Sequence, residues 1–237
     1  MHKLGDRIKS YEKTFAHNAL KRSPLIIRVD GRSFHTFTKN MTRPFDNHLM
    51  DVMVTSASYV AHDMQGFKSA YIQSDEATFF LTDYDHLGTD GWFGYELPKV
   101  ISISAALMSV AFNDCFNKSG LKHGKLAVFD SRAFTVPRED VVNVFVWRAK
   151  DWERNSLQMY ASNFFSHSQL HKKGRAEKHE MLHSIGKNWT TDLSERERNG
   201  TFLINSPEGI VTRTDILPTF ESVNGAIGHL VDIGRDG

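Results

Sequence analysis

Two apolar runs short enough to be strands each end in acid, and this pairing limits the folds open to the chain more than any other feature. The first, Leu25-Ile26-Ile27-Arg28-Val29, runs into Asp30-Gly31-Arg32-Ser33-Phe34-His35. The second, residues 67–73, runs into Ser74-Asp75-Glu76 and is followed at once by Ala77-Thr78-Phe79-Phe80-Leu81. A short unbroken apolar run suits a central strand buried on both faces. Residues 67–73 and 77–82, joined through Ser74-Asp75-Glu76, predict a tight hairpin.

Helical patterns alternate with these strands. Residues 4–19 read as a leading helix, stopped by Lys21-Arg22 and Pro24. From Asp46 to Met64, the apolar positions Leu49, Met53, Ala57, Val60 and Met64 fall on one stripe, and Gly66 ends the helix. Residues 98–117 are apolar nearly all round, the mark of a buried helix. With a fourth strand at Leu126–Phe129 the order is β-α-β-β-α-β, the split, ferredoxin-like motif. The expected fold is therefore α+β: an antiparallel sheet with helices on one face. Polymerase palms and nucleotide cyclases use that order, which is an analogy of fold only.

Residues 1–136 form the expected palm-like catalytic domain. Residues 137–237 read as a helical and β extension packed on the same domain, with helices over 138–165 and 172–185 and a strand at 201–204. No repeat, low-complexity segment or linker divides the two.

Composition narrows the function classes. At 237 residues the chain buries a substantial core, and 40% hydrophobic with 24% charged residues is ordinary for a globular protein. A net charge of +1 gives no global field for nucleic acid, so an RNA partner needs a local basic patch. The lone Cys115 fits a reducing compartment, and a cytoplasmic protein is expected. The N-terminal residues do not resemble a signal peptide, and no run of about 18 apolar residues suggests a membrane helix. The Asn-x-Thr triplets at Asn188 and Asn199 are then incidental. Neither Gly-x-Ser-x-Gly nor a Gly-x4-Gly-Lys-Ser/Thr phosphate loop occurs.

Asp30 and Asp75 become neighbours if the first strand pairs with 67–73, the adjacency expected of the split order. Mg²⁺ takes oxygen ligands and keeps waters and phosphates as partners, so two shared carboxylates suffice for a pair of ions. Gly31 lets the backbone approach closely and offers its carbonyl, while Arg32–His35 can present N–H groups to phosphate. Alone, each fragment is an ordinary turn: Asp-Gly recurs at Asp90-Gly91 and Asp236-Gly237. Their joint placement at strand ends favours a metal site and nucleotidyl transfer.

At these residues the chain resembles the tRNA-His guanylyltransferase family, with its guanylyltransferase-like 3′-to-5′ polymerases. Arg28-Val29-Asp30-Gly31-Arg32-Ser33-Phe34-His35 and Gln73-Ser74-Asp75-Glu76 are similar to its two signatures. Phe129-Asp130-Ser131-Arg132, Trp147-Arg148 with Asp151 and Asn155, and Ala176-Glu177-Lys178 follow it in order and rough spacing. The resemblance implies a nucleotidyltransferase that adds guanylate, or another nucleotide, to the 5′ end of tRNA after a nucleoside triphosphate, GTP or ATP, has activated that end. It implies Asp30, the Gly31 carbonyl and Asp75 as ligands of two Mg²⁺, supported by Glu76. Gly31, Arg32, Ser33, Phe34, His35 and Ser74 would contact the triphosphate. Asp46 is similar to an acid that contacts the base, and Lys99 and Lys178 to cations near phosphate. A homotetramer is the family's usual assembly.

Two positions depart from the pattern. Glu153 stands where members that modify tRNA-His have histidine, and Pro98 where a basic residue often precedes Lys99. A relaxed repair of truncated tRNA 5′ ends fits these departures as well as the addition that names the family.

A different class would be a catalytically silent RNA- or nucleotide-binding protein that keeps the pocket. A zinc protease is suggested by His179-Glu180-Met181-Leu182-His183, but the extended pattern needs histidine where Trp189 stands. Lys172, Lys173, Arg175, Lys178 and Lys187 read as a solvated face or an RNA contact. Trp147, Trp152, Tyr160, Phe164 and Phe165 read as core.

Overall fold

The computed structural model of the chain describes residues 4–14, 16–120 and 124–232. Phe15, inside the expected first helix, and Asp236-Gly237 lie outside the described residues. In chain order the helices are α1 (Leu4–Lys13), α2 (Phe34–Phe37), α3 (Asn47–Asp63), α4 (Leu97–Lys118), α5 (Val141–Ser162), α6 (His167–Leu170), α7 (Arg175–Ser184), α8 (Trp189–Asp192), α9 (Glu195–Asn199) and α10 (Phe220–Ile227). The strands are β1 (Leu25–Gly31), β2 (Phe67–Gln73), β3 (Glu76–Leu81), β4 (Phe129–Thr135), β5 (Thr201–Ser206) and β6 (Gly209–Arg213).

All six strands form one antiparallel sheet in the order β4-β1-β3-β2-β5-β6. The first four give the split βαββαβ palm, with one correction to the expected adjacency. β1 pairs with β3, not with residues 67–73, and Asp30 lies opposite Glu76. In this topology the hairpin returns beside β1, so its second strand takes the central place.

Strand alternation sorts the chain into two cores. Leu25, Ile27 and Val29, with Ile72, Phe79 and Leu81, pack against α3 and α4 on one face. Ile26, Tyr71, Phe80 and Phe202 point the other way into the layer built by α5 and the elements after it. The extension thus closes the second face of the sheet and adds β5 and β6 to its β2 edge.

Near the end of β1 a phenyl cluster anchors the chain. Phe34 packs on Phe37, Phe112 and Phe129 with ring centroids 5.1–5.4 Å apart. Its ring lies under Gly31, where a Cβ would come within 2.3 Å of it, so Gly31 has no room for a side chain.

Several boundaries shift. β4 begins where the expected 126–129 strand ends, because Asp130, Ser131 and Arg132 alternate on a half-exposed edge strand and lack an apolar run. Helix 138–165 is α5 preceded by a short 3-10 turn, and helix 172–185 is α7, which starts at Arg175 because Gly174 is its N-cap; the short α6 precedes it. The hairpin β5–β6 exceeds the expected strand at 201–204. α4 is long and apolar enough to cross a bilayer by length and composition, contrary to expectation, yet it packs as a palm helix against α3 and β4. The triplet asparagines are occupied: Asn188 caps α8, and buried Asn199 donates to the Thr214 carbonyl.

Candidate active site

Three acids meet where β1 ends and β3 begins. Asp30 and Glu76 are register partners, and the Gly31 N–H donates to the Asp75 carbonyl at 3.0 Å, tying the hairpin tip to β1. Asp75 sits in a two-residue turn with Ser74, whose φ of 49° is left-handed. Ser74 Oγ donates to Asp75 Oδ1 at 2.9 Å. Ser33, at the start of α2, is also left-handed, at φ 55°. Such backbone costs a non-glycine residue of order 1–3 kcal/mol and collects where function constrains the chain.

The acids differ in their surroundings. Burial raises the Asp75 pKa to about 6, the Ser74 hydrogen bond works against it, and the charge of Asp30 adds to the rise. Burial also raises the Asp30 pKa, helped by the charges of Glu76 and of Asp130, its partner across β4. Among the described residues neither acid has a cation within 4 Å.

Glu76, by contrast, is neutralised. Arg148 on α5 grips it at both oxygens, Nε to Oε1 and Nη2 to Oε2, each at 2.7 Å. Gln73 Nε2 and Thr78 Oγ1 also donate to Oε1. Its side chain is 10% exposed. Glu76 stands opposite Asp30 and anchors Arg148, which in turn pairs with Asp151 at 3.2 Å. Arg148 stands in a quoted motif, but nothing in the sequence pairs it with Glu76, 72 positions away.

The other expected site residues divide. Gly31, Ser33, Phe34 and His35 lie at the β1–α2 turn beside the acids, Phe34 buried and His35 exposed. The Arg32 N–H is taken by the Val128 carbonyl at 2.8 Å. Asp46 is the N-cap of α3 and accepts from the N–H groups of Leu49 and Thr42, both at 3.1 Å. Partial burial pushes its pKa up, and those hydrogen bonds more than offset it, leaving the pKa below its ordinary value. Asp46 and Ser74 share the lining of a cavity of about 300 Å³ with Phe45, Met50, Trp152 and Met159.

Lys99 is corrected. α4 runs along β4 with Ser109 at Phe129 and Ser104 at Ser131, so its first turn points away from Asp30 and lies on the opposite face of the sheet. There the Lys99 ammonium sits 4.8 Å from the Phe93 ring. Lys178 lines a separate cavity of about 410 Å³ between α5 and α7, with Lys150, Arg154 and Arg175. Glu153 lies in it too, bound by Arg175 at 2.6 and 2.8 Å.

The zinc motif has no support. His179 and His183 share α7, but the described residues contain no group of three metal-binding side chains. Of the aromatics expected in the core, Trp152 and Tyr160 are buried, but Trp147 is 54% exposed.

A palm sheet with two carboxylates at adjacent strand ends, neither in a salt bridge among the described residues, and a cavity of about 300 Å³ beside them fits one class: a nucleotidyltransferase. The sequence pattern of tRNAHis guanylyltransferase matches residues 5–137, and the chain belongs to that family. It is 29% identical over 221 residues to the tRNA(His) guanylyltransferase of Schizosaccharomyces pombe, covering 84% of this chain and 79% of that one. An uncharacterized protein of Acanthamoeba polyphaga mimivirus is 26% identical over 190 residues, which cover 70% of this chain and 65% of the viral protein. The structure of a bacterial tRNA(His) guanylyltransferase-like protein in complex with ATP superimposes with a TM-score of 0.91 at 31% identity, covering 98% of this chain and all of that one.

Arg148→Met leaves Glu76 buried without its partner and should cost about 3–5 kcal/mol, read by denaturant unfolding. Adding Glu76→Gln should recover much of the loss; equal instability of the single and double variants would show that the pair does not carry it.

Proposed function

We propose that the chain is a nucleotidyltransferase that extends the 5′ end of tRNA in the 3′-to-5′ direction, using Asp30 and Asp75 to hold divalent cations. One observation carries the reading: Asp30 and Asp75 meet at neighbouring strand ends with no salt bridge to either among the described residues, burial raises both pKa values, and the third acid beside them is neutralised by Arg148. Carboxylates held in that state fit hard divalent cations, and the Gly31 carbonyl stands ready as a further oxygen. Two bound magnesium ions would supply Lewis-acid charge to the reacting phosphate and the departing pyrophosphate.

The chain's own groups then divide the work. The β1–α2 turn, residues 31–35, and Ser74 flank the triphosphate. The cavity beside Ser74 takes the base of the incoming nucleotide. Asp46 spends one lone pair of each oxygen on backbone N–H groups and keeps others for the N–H edge of guanine. A nucleoside triphosphate, ATP or GTP, first activates the RNA 5′-phosphate as a nucleotidyl anhydride with loss of pyrophosphate. The 3′-hydroxyl of the incoming nucleotide then attacks that 5′-phosphate, breaking the anhydride bond and releasing the activating nucleotide as its monophosphate. Lys178 and the cations around it, on the α5–α7 seam, suit the RNA backbone. Because Arg175 occupies Glu153, that acid presents little net charge to an RNA end, which favours a relaxed choice of tRNA over strict selection of tRNA-His. The cytoplasm, where tRNA and a free half-buried thiol at Cys115 coexist, is the compartment that fits.

Assembly as a homotetramer, the arrangement implied by family resemblance, accords with α4. Its outer side leaves Val110 70% exposed, with Ile103 and Leu107 only partly covered. Sedimentation should give a mass near four chains; a monomer at micromolar concentration would refute this assembly.

Asp30→Ala and Asp75→Ala should each abolish incorporation of labelled GTP into a tRNA pool while leaving far-UV circular dichroism unchanged. Full activity in either variant defeats the assignment. Cation binding needs the ionised form of Asp75, whose pKa is about 6. The Mg²⁺ concentration for half-maximal rate should hold steady above pH 6 and rise about tenfold per unit below it, since one proton competes with the metal. A flat dependence from pH 5 to 7.5 would remove Asp75 from the metal site.

A further inference from the structure

Trp147 is the one exposed tryptophan of four; Trp92, Trp152 and Trp189 are all buried. A single exposed indole is ordinary by itself, and what marks this one is its place in the fold. The Arg28 guanidinium lies 5.5 Å from its ring centroid, and that of Arg148 lies 4.6 Å away. Arg28 is two residues before Asp30 on the same face of β1, so the ring stands next to the candidate catalytic acids. Both guanidiniums converge on Glu76, Arg148 in direct contact and Arg28 with Nε 3.9 Å from Oε2. They therefore hold the indole from its protein side and leave the other side to solvent.

The position on α5 separates this ring from the base cavity. Five residues turn a helix by about 500°, so Trp147 and Trp152 project about 140° apart. Trp152 faces inward against Phe45 and lines the cavity next to Ser74. Trp147 faces outward over the β1 side, toward the half-exposed strand β4. One aromatic lines a hollow sized for a single base; the other is an exposed indole.

We infer that Trp147 is the platform on which the terminal nucleobase of the acceptor RNA stacks, setting the 5′-phosphate over Asp30 and Asp75. A flat exposed indole suits the end of a base-paired stem, which presents a broad π-face that no cavity could admit. Buried Arg148 and partly buried Arg28 fix the ring before RNA arrives and so reduce the ordering lost on binding. This assignment rests on the reading of the site as one that extends an RNA 5′ end.

Trp147→Leu and Trp147→Phe are compared with the unmodified protein in 5′-extension assays on a tRNA acceptor and on the same RNA with an abasic 5′-terminal nucleotide. Trp147→Leu should raise the KM for intact RNA roughly 10- to 100-fold, the range for loss of one base–aromatic stack. The KM for the nucleoside triphosphate should not move, and Trp147→Phe should restore most of the affinity. On the abasic acceptor the unmodified protein and Trp147→Leu should bind alike. RNA should also quench the intrinsic fluorescence of the unmodified protein but not of Trp147→Leu. An unchanged KM for RNA in Trp147→Leu, or an equal loss on both acceptors, overturns the inference. If the unmodified protein extends no RNA at all, the functional reading itself fails, which is a different result.

Discussion

The buried pair between Arg148 and Glu76 is the interaction on which the rest of the structure depends. It joins the start of β3, the hairpin's second strand, to the long helix of the extension, across the second face of the sheet. With three acids gathered at neighbouring strand ends, mutual repulsion would make the site hard to build. Committing one of them to a bidentate guanidinium removes that charge and leaves two free for cations. The same arginine reaches Asp151 and backs the Trp147 ring, so one side chain orders the acids, the helix and the exposed indole together.

Strain is placed around this anchor. Ser33 and Ser74 both hold left-handed backbone, one after β1 and one at the hairpin tip. Each is secured from below: Ser33 by the phenyl cluster that grips Phe34, Ser74 by the β2–β3 ladder that closes on Gln73 and Glu76. The two turns are thereby held rigid where phosphate is to be cradled, and the preorganisation is supplied by the cores on either side of the sheet.

Much of this was legible in the residues. The apolar run at Leu25–Val29, the hairpin of residues 67–82 and the apolar helix across Ile101–Phe112 announced the palm because strand and helix periods differ plainly there. The reading failed where the periods are weak. β4 is half exposed and polar, so the expected strand stopped at Phe129, where β4 begins. Gly174 caps the basic helix and moves its start from 172 to Arg175, and β6 had too little apolar pattern to stand out. The pairing of the first strand was misjudged for a different reason: strand order is a property of closure, and no local pattern carries it. Lys99 was expected near phosphate by its motif, whereas the direction of α4 takes it to the far end of the sheet.

By itself the sequence determined which segments bury and which turn, and hence that Asp30 and Asp75 would each end a strand; hydrophobic period and turn chemistry are local quantities. Only the tertiary structure decided that Glu76 is neutralised by Arg148, that Asp46 caps a helix beside the cavity, and that Trp147 stands in solvent while Trp152 is buried. Charge compensation and exposure depend on neighbours brought from distant parts of the chain, and those distances exist only after the sheet has closed.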